Sequence, residues 1–141
     1  MMNDVEKAYI AGIIDGEGSI SFEIHHSPAT TINPRLTIVN TDANLIYYVG
    51  EKLGCGNIYP KPHGALGKKP IWEFRLFRRN DLLEVIPHVL PFLLVKRKQA
   101  ELMLTYLQGR ENHRQGYSKQ ELKLAEQVRE LNGRKRLVIL E

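Results

Sequence analysis

The sequence predicts an α+β domain, in which an antiparallel sheet carries helices packed on one of its faces in the order αββαββα. Segments with apolar residues at helical spacing alternate with short segments in which apolar and polar residues alternate one by one, the pattern of half-buried strands. The strand-like segments come in neighbouring pairs, which favours hairpins and an antiparallel sheet with one polar face. With 141 residues, 43% of them hydrophobic, the chain is long enough for one domain with its own core.

The first half of the chain is predicted to form a helix, two strands and a second helix. The first helix ends where Gly16 and Gly18 let the chain leave the helical conformation, and the second ends at Gly54. In the first strand Ile20 and Phe22 share the apolar face. The expected ranges are helix 5–15, strand 19–25, a turn-rich loop at 26–34, strand 35–40 and helix 42–53.

The second half is predicted to form another pair of strands followed by three helices. Asn80 is expected to cap the third helix, and Ser118 and Glu121 form a capping box that opens the fifth, which is expected to end at Gly133. The expected ranges are strands 57–61 and 71–77, a helix to about residue 90, helix 96–108 and a polar loop at 110–117. The whole chain, 1–141, is one domain with a core at about 5–110 and a C-terminal helical extension at 118–141.

Composition and charge exclude several classes of protein. The net charge of +4 and pI of about 9.2 are compatible with nucleic-acid binding. The single cysteine, Cys55, excludes an internal disulfide, and its Gly-Cys-Gly context indicates a small packing residue in a reducing compartment. Neither a signal peptide nor an apolar run of about 18 residues is present, so we expect an intracellular protein without a membrane partner. Its compartment would be the cytoplasm, or an organelle or the nucleus in a eukaryote.

Two acids, Asp15 and Glu17, stand at the end of the first predicted helix, separated by glycine. Acids at a helix C-terminus oppose the helix dipole, so their placement needs an explanation. They are either exposed and screened, at a cost of a few tenths of a kcal/mol, or they bind a divalent metal together with the free carbonyls of the helix end. Mg²⁺ prefers such oxygen ligands.

Small residues line the same helix. Ala8, Ala11 and Gly12 would let a second helix backbone approach closely, although Gly12 costs the isolated helix about 1 kcal/mol relative to alanine. The helix therefore has the features of one that packs against another helix and brings acids together there.

The segment Ile10-Ala-Gly-Ile-Ile-Asp-Gly-Glu-Gly18 resembles the signature of the LAGLIDADG homing endonucleases. The resemblance extends more loosely over residues 5–110, and the signature occurs once. It implies an intron-encoded, site-specific DNA endonuclease that hydrolyses both strands of a long, pseudo-palindromic double-stranded site. Members with one signature act as homodimers, with the signature helices packed at the centre. The implied cofactor is Mg²⁺, with Mn²⁺ or Ca²⁺ as possible substitutes, and no small-molecule substrate is expected.

The resemblance also implies roles for individual residues. Glu17, where the family usually has aspartate, would bind the metal with the backbone carbonyl of Gly16, while Asp15 supports the turn. Lys96 would be the active-site lysine, with Lys98 as the second choice, although basic runs are usually solvated surface. Asp42 would position the attacking water, and its structural alternative is an N-cap. The predicted dimer interface consists of Ala8, Ala11, Gly12 and Asp15.

The outward faces of the predicted strands are the candidate DNA-binding surface, because a twisted pair of strands fits the major groove. The candidates are Ser19, Ser21, Glu23, His25, Arg35, Thr37, Tyr59, Lys61, Glu73 and Arg75. Lys61, Lys68 and Lys69 lie beside predicted flexible loops and are candidates for phosphate contacts. The basic cluster at 134–136 is interpreted as a charged tail that could also touch the DNA backbone. A merely solvated sheet face is the structural alternative.

Two other functions remain open from the sequence. The chain could be a non-cleaving relative that acts as an RNA maturase in intron splicing or as a DNA-binding regulator. It could also be a structural domain whose acids have no chemical role. The presence of Glu17 and Lys96 favours the enzyme.

Overall fold

The computed structural model describes residues 2–62, 69–110 and 116–138. Within these residues the chain forms five α-helices, four strands and a short 3₁₀ helix at Leu90–Phe92. The elements are α1 (Asp4–Glu17), β1 (Gly18–His25), β2 (Thr31–Asn40), α2 (Ala43–Leu53), β3 (Asn57–Lys61), β4 (Ile71–Leu76), α3 (Arg79–Val89), α4 (Arg97–Gly109) and α5 (Lys119–Val138). The predicted order αββαββα is therefore confirmed.

The four strands form one antiparallel sheet in the order β1-β2-β4-β3. β1 pairs with β2 along its full length, from Gly18 opposite Ile38 to His25 opposite Thr31. β4 lies between β2 and β3 and pairs antiparallel with both. The predicted α+β class with an antiparallel sheet is confirmed.

The core lies between the apolar face of the sheet and the helices. The strands contribute fully buried apolar side chains, among them Ile20, Leu36 and Phe74, in the alternation that the sequence predicts. Ile10 and Ile14 of α1 are buried in the same core. The opposite face of the sheet is left to polar side chains, which is the surface on which a partner can be bound.

Several boundaries differ from the predictions by one or two residues; α1, for example, includes Gly16 and ends at Glu17, with Gly18 as its C-cap. Three further differences have a structural reason. β2 begins at Thr31 and includes Pro34, because β4 pairs only with residues 36–40 and leaves one side of β2 unpaired around the proline. Arg78, not Asn80, is the N-cap residue of α3, and its side chain makes no capping bond. α5 continues past Gly133 to Val138, because a single exposed glycine costs a helix only about 1 kcal/mol.

Local signals that fix helix ends are present where the chain is described. The capping box of α5 forms as predicted, since Ser118 Oγ accepts from the Glu121 N–H and a Glu121 carboxylate oxygen accepts from the Ser118 N–H. Gly54 closes α2 with φ of 72°, a conformation that favours glycine. Cys55 is half-buried against the core, which agrees with a packing role.

The C-terminal extension joins the core through α5. Ala125 and Val128 of α5 are fully buried in the main core. Asn132 donates a hydrogen bond from Nδ2 to the Ile20 carbonyl of β1 at 3.0 Å, and its oxygen accepts one from the buried Gln99 of α4 at 3.2 Å. α5 is thus part of the domain and holds β1 and α4 together.

No helix among the described residues has both the length and the apolar character needed to span a membrane.

Candidate active site and nucleic-acid interface

Asp15, near the end of α1, binds the backbone at the start of α4. Its two carboxylate oxygens accept hydrogen bonds from the N–H groups of Leu94, Val95 and Lys96, at 2.9, 3.1 and 3.0 Å. Lys96 is the N-cap residue of α4, and Leu94 and Val95 immediately precede it. The first N–H groups of a helix have no partner within it and carry the positive end of its dipole. The Asp15 carboxylate, which is unfavourable for α1, is therefore favourable for α4.

Lys96 makes the corresponding contact in the opposite direction, from the start of α4 to the end of α1. Its Nζ donates a hydrogen bond to the backbone carbonyl of Asp15 at 2.7 Å, and only 4% of the residue is exposed. The carbonyls of the last turn of α1 carry the negative end of that helix dipole, which stabilises the buried ammonium. Each helix thus contributes a charged side chain that binds the backbone at the end of the other helix, and each charge is favourable for the dipole of the helix that it binds. This arrangement is called here the Asp15–Lys96 exchange. The exchange places the Lys96 amine beside the C-terminal end of α1.

Glu17 has a different environment from Asp15, although the two acids are two residues apart. Glu17 is exposed, and its carboxylate makes neither a hydrogen bond nor an ion pair with any described residue. Among the described residues no group of three or more His, Cys, Asp or Glu could hold a metal ion. One chain therefore offers a free carboxylate, with the Gly16 carbonyl next to it. These are hard oxygen donors that suit a divalent cation but form an incomplete set.

Asp42 is the N-cap of α2, which is the structural alternative considered above. One of its carboxylate oxygens accepts from the N–H groups of Asn44 and Leu45, at 2.9 and 3.3 Å. The residue also lines a surface groove with Val5 and Tyr9 of α1. Its catalytic role stays a prediction, since no contact links Asp42 to Glu17 or Lys96 in the described part of the chain.

One side of α1 is exposed although it is made of small and apolar residues. Val5 is 78% exposed and Tyr9 53%, and Ala8, Gly12 and Gly16 are exposed beside them. Each of these five residues is three or four positions from at least one of the others, so they lie on one side of the helix. They form a continuous stripe, called here the α1 stripe. A Cβ atom added at Gly12 or Gly16 would meet nothing within 4 Å among the described residues, the backbone of α1 itself left aside.

The four residues of the predicted dimer interface have different environments in the structure. Ala8 and Gly12 belong to the α1 stripe, whereas Ala11 is completely buried in the core of its own chain. The prediction for Ala11 is therefore wrong, because its side chain is buried in the core of its own chain and has no surface to offer a partner. The Asp15 carboxylate is bound within the chain. Leu94 and Val95, which Asp15 holds next to α1, are 84% and 59% exposed and widen the apolar surface.

The outward face of the sheet brings the predicted DNA-binding residues onto one surface. Strand register forms a row across all four strands from Ser19 through Thr37 and Arg75 to Asn57. The row begins two residues after Glu17, so it is close to the end of α1. The other predicted residues of β1 and β2 lie farther along the hairpin, where Ser21 is opposite Arg35.

Two carboxylates on this face are each held between two basic side chains. Glu23 pairs with His25 at 3.1 Å and with Arg35 at 2.9 Å, and these hydrogen bonds and charges lower the pKa of its carboxyl. Glu73 pairs with Lys61 at 2.9 Å and Arg75 at 3.1 Å, although its side chain is only 11% exposed. Burial works against ionisation there, but hydrogen bonds from Arg75 and Lys61 prevail and lower the pKa of Glu73.

Thr31, Asn33 and Asn57 are polar residues of this face that the predicted DNA-binding set does not contain. Asn57 is opposite Arg75, and Asn33 is opposite Glu23; both are exposed. Asn57 continues the alternation through Tyr59 and Lys61, so the period of two could have identified it. Lys69 is exposed in the described part. Lys68 and the side chains of 134–136 lie outside the described residues.

A family model described as LAGLIDADG endonuclease matches residues 10–107. The matched range begins within α1 and ends within α4, so it contains the whole sheet and both halves of the Asp15–Lys96 exchange. No curated protein sequence matches the chain.

Solved structures with this fold include several homing endonucleases. I-CvuI, crystallised with the I-CreI target in the presence of Mg, has a TM-score of 0.74 and 24% identity, with 90% of this chain and 82% of that chain covered. The archaeal intron-encoded I-Vdi141I, complexed with DNA, has 0.76 and 22%, with 91% and 84% covered. The LAGLIDADG meganuclease I-CpaMI, bound to uncleaved DNA, has 0.68 and 26%, with 88% and 42% covered.

Proposed function

The chain belongs to the LAGLIDADG endonuclease family, and from that premise we propose that it is a homodimeric endonuclease that cuts double-stranded DNA at a specific site. The dimer forms through the α1 stripes of two copies, which place two Glu17 carboxylates across a two-fold axis. The sequence contains the signature once and covers 82% of I-CvuI and 84% of I-Vdi141I, both of which were solved with DNA.

The observation that carries the proposal is the α1 stripe with Glu17 at its end. Gly12 lowers helix propensity by about 1 kcal/mol relative to alanine, and the described fold has no need of the space that it leaves. Val5 and Tyr9 expose apolar surface, which single-chain soluble proteins tend to avoid in contiguous patches. A second helix packed along the stripe explains both features, because it covers the apolar side chains and uses the close approach that glycine permits.

The same dimer completes the donor set for metal. Each chain gives one free Glu17 carboxylate and one Gly16 carbonyl, and two copies double this set at the axis. Oxygen donors of this kind fit Mg²⁺, with Mn²⁺ or Ca²⁺ as substitutes. When bound, a divalent cation supplies Lewis acidity and an activated water for phosphodiester hydrolysis. I-CvuI was crystallised with DNA in the presence of Mg and of Ca, which supports a divalent cofactor here.

In this proposal the remaining residues have the roles that the family resemblance implies. Lys96, held beside the end of α1, places a positive charge next to the scissile phosphate, where negative charge develops. The polar face of the sheet enters the major groove, and its side chains contact base edges. Asp42, if it positions the attacking water, does so while it caps α2.

Cleavage by purified protein tests the proposal. Duplexes that the protein binds would be selected from a random library in Ca²⁺ and then incubated with Mg²⁺. We expect cuts on both strands of a near-palindromic site, and Glu17→Gln is expected to bind the same duplex without cutting it. Glu101→Gln is the matched control, because Glu101 is an exposed acid of α4. Cleavage by Glu17→Gln at the wild-type rate would refute the assigned role of Glu17.

A further inference from the structure

Arg75 stands out on the polar face of the sheet because two neighbours fix its orientation. Its Nη2 donates a hydrogen bond to Glu73 Oε1 at 3.1 Å, and its guanidinium carbon lies 4.7 Å from the centre of the Tyr59 ring. Glu73 is in turn bound by Lys61 at 2.9 Å. An arginine stacked on an aromatic ring and bound to a nearly buried carboxylate loses little further side-chain entropy when it binds a ligand.

The hydrogen-bonding capacity of Arg75 is mostly unused. A guanidinium has five N–H donors, and among the described residues only Nη2 has an acceptor. The Nε–H is buried without any acceptor in the described part of the chain. The two hydrogens of Nη1 and the second hydrogen of Nη2 are therefore the donors that the guanidinium can offer a ligand. Arg35 pairs with the half-exposed Glu23, and the described residues offer it neither a buried carboxylate nor an aromatic ring.

The position of Arg75 on the sheet indicates which part of a bound duplex it meets. Its row runs from Ser19, beside the end of α1, through Thr37 to Arg75 and Asn57. Neighbouring strands are about 4.8 Å apart, so Arg75 lies roughly 10 Å from Ser19 across the sheet. Arg35 and Glu23 lie farther from α1, along the β1–β2 hairpin.

We infer that Arg75 is a specificity-determining residue that binds the O6 and N7 atoms of a guanine in the inner part of each DNA half-site, with Glu73 as its positioning residue. This inference rests on the proposed function, because it requires the sheet to lie in the major groove. Bidentate contact between arginine and guanine is the most frequent specific contact in that groove. A phosphate contact would need neither the fixed plane nor the buried acid, because phosphate also accepts a mobile point charge.

Base preference at each position of the selected site tests the inference. Duplexes bound by the wild-type protein in Ca²⁺ would be sequenced, and then all four bases compared at each position by competition binding. We expect guanine at one symmetric pair of inner positions, preferred by roughly 10-fold or more over the other bases. Arg75→Gln is expected to lose that preference and to favour adenine there, since glutamine pairs with adenine. Other positions should change by less than about 2-fold.

Two further variants separate base contact from other roles of this cluster. Glu73→Gln retains Arg75 but weakens its support, so the guanine preference should fall part of the way at the same position. Arg35→Gln should change only positions farther from the centre of the site. If Arg75→Gln instead weakens binding equally for all sequences and reduces the salt dependence by about one phosphate contact, Arg75 binds the backbone and the inference is wrong.

Cleavage is measured separately on the same selected duplexes. If the wild-type protein selects an inner guanine that depends on Arg75 but does not cut in Mg²⁺, the endonuclease assignment fails and the role of Arg75 stands. If the protein cuts its site and Arg75→Gln keeps the guanine preference, the role of Arg75 fails and the endonuclease stands. Circular dichroism of each variant would verify that the fold is retained.

Discussion

Replacement of Gly12 by leucine should have opposite effects on the single chain and on its dimer. A Cβ atom added at this position meets nothing within 4 Å among the described residues outside its own helix backbone, and Gly12 is exposed, so the leucine side chain starts in open space. Leucine has a higher helix propensity than glycine, which should stabilise the single chain by up to about 1 kcal/mol. In the dimer each copy would bring one leucine into the helix contact. Overpacking costs about 1–3 kcal/mol per side chain, so the two copies together should weaken association by at least roughly 30-fold.

Sedimentation velocity over a range of protein concentrations measures the association directly. We expect wild-type protein to be a dimer at micromolar concentration and Gly12→Leu to be a monomer. The melting temperature of the wild type should rise with concentration, while that of the variant should not, because dimerisation stabilises only the folded state. Gly133→Leu is the matched control, since Gly133 is also an exposed helical glycine without neighbours within 4 Å among the described residues.

The outcome that would refute this argument is a Gly12→Leu protein that dimerises as tightly as the wild type. The α1 stripe would then not be the contact surface, and two Glu17 carboxylates would not meet at the axis. A wild-type protein that is monomeric at working concentration would have the same consequence.

Three further predictions concern the acids. Asp15→Ala should lower the free energy of unfolding in urea by roughly 2 kcal/mol, because three N–H groups lose a charged acceptor; a loss below about 0.5 kcal/mol would contradict the capping role. Asp42→Ala should cost about 1 kcal/mol and Asp42→Asn little, so cleavage lost in a stable Asp42→Asn protein would assign Asp42 to the chemistry beyond its cap. Because hydrogen bonds hold the pKa of Glu73 below its ordinary value of 4.5, its stabilisation is present above pH 4.5 and is lost as the pH falls through the lowered value; acid titration of Glu73→Gln should therefore show a smaller loss of stability than the wild type.

Periodicity was sufficient for the fold because each element depends on its own residues. Alternation in β1 and β4 predicted the buried faces, and the Ser118–Glu121 capping box predicted the start of α5. Pro34 was misplaced because its tolerance in β2 depends on where β4 stops pairing, which is a property of the sheet. A local pattern carries no information of that kind.

The candidate site was predictable only in part, for a similar reason. The unfavourable position of Asp15 was visible in the sequence, but its compensation comes from α4, about 80 residues later, and only the fold brings the two together. Lys96 is the reverse case, a cation at a helix start that is stabilised by the end of α1. Ala11 looked like an interface residue because small side chains are equally useful inside a core. Arg75 could be placed on the polar face, but its support by Glu73 and Tyr59 required the register.

The order of the strands leaves β1 and β3 at the two margins of the sheet, where unpaired backbone groups can recruit a further strand from another molecule. Along β1 the α5 helix packs against the strand, and Asn132 already occupies the Ile20 carbonyl. β3 is only five residues long and carries Pro60, which has no N–H to donate, beside the charged Lys61. Both margins are therefore poor templates for strand addition. Such an arrangement discourages aggregation through the sheet and keeps strand addition from competing with the proposed association through the exposed side of α1.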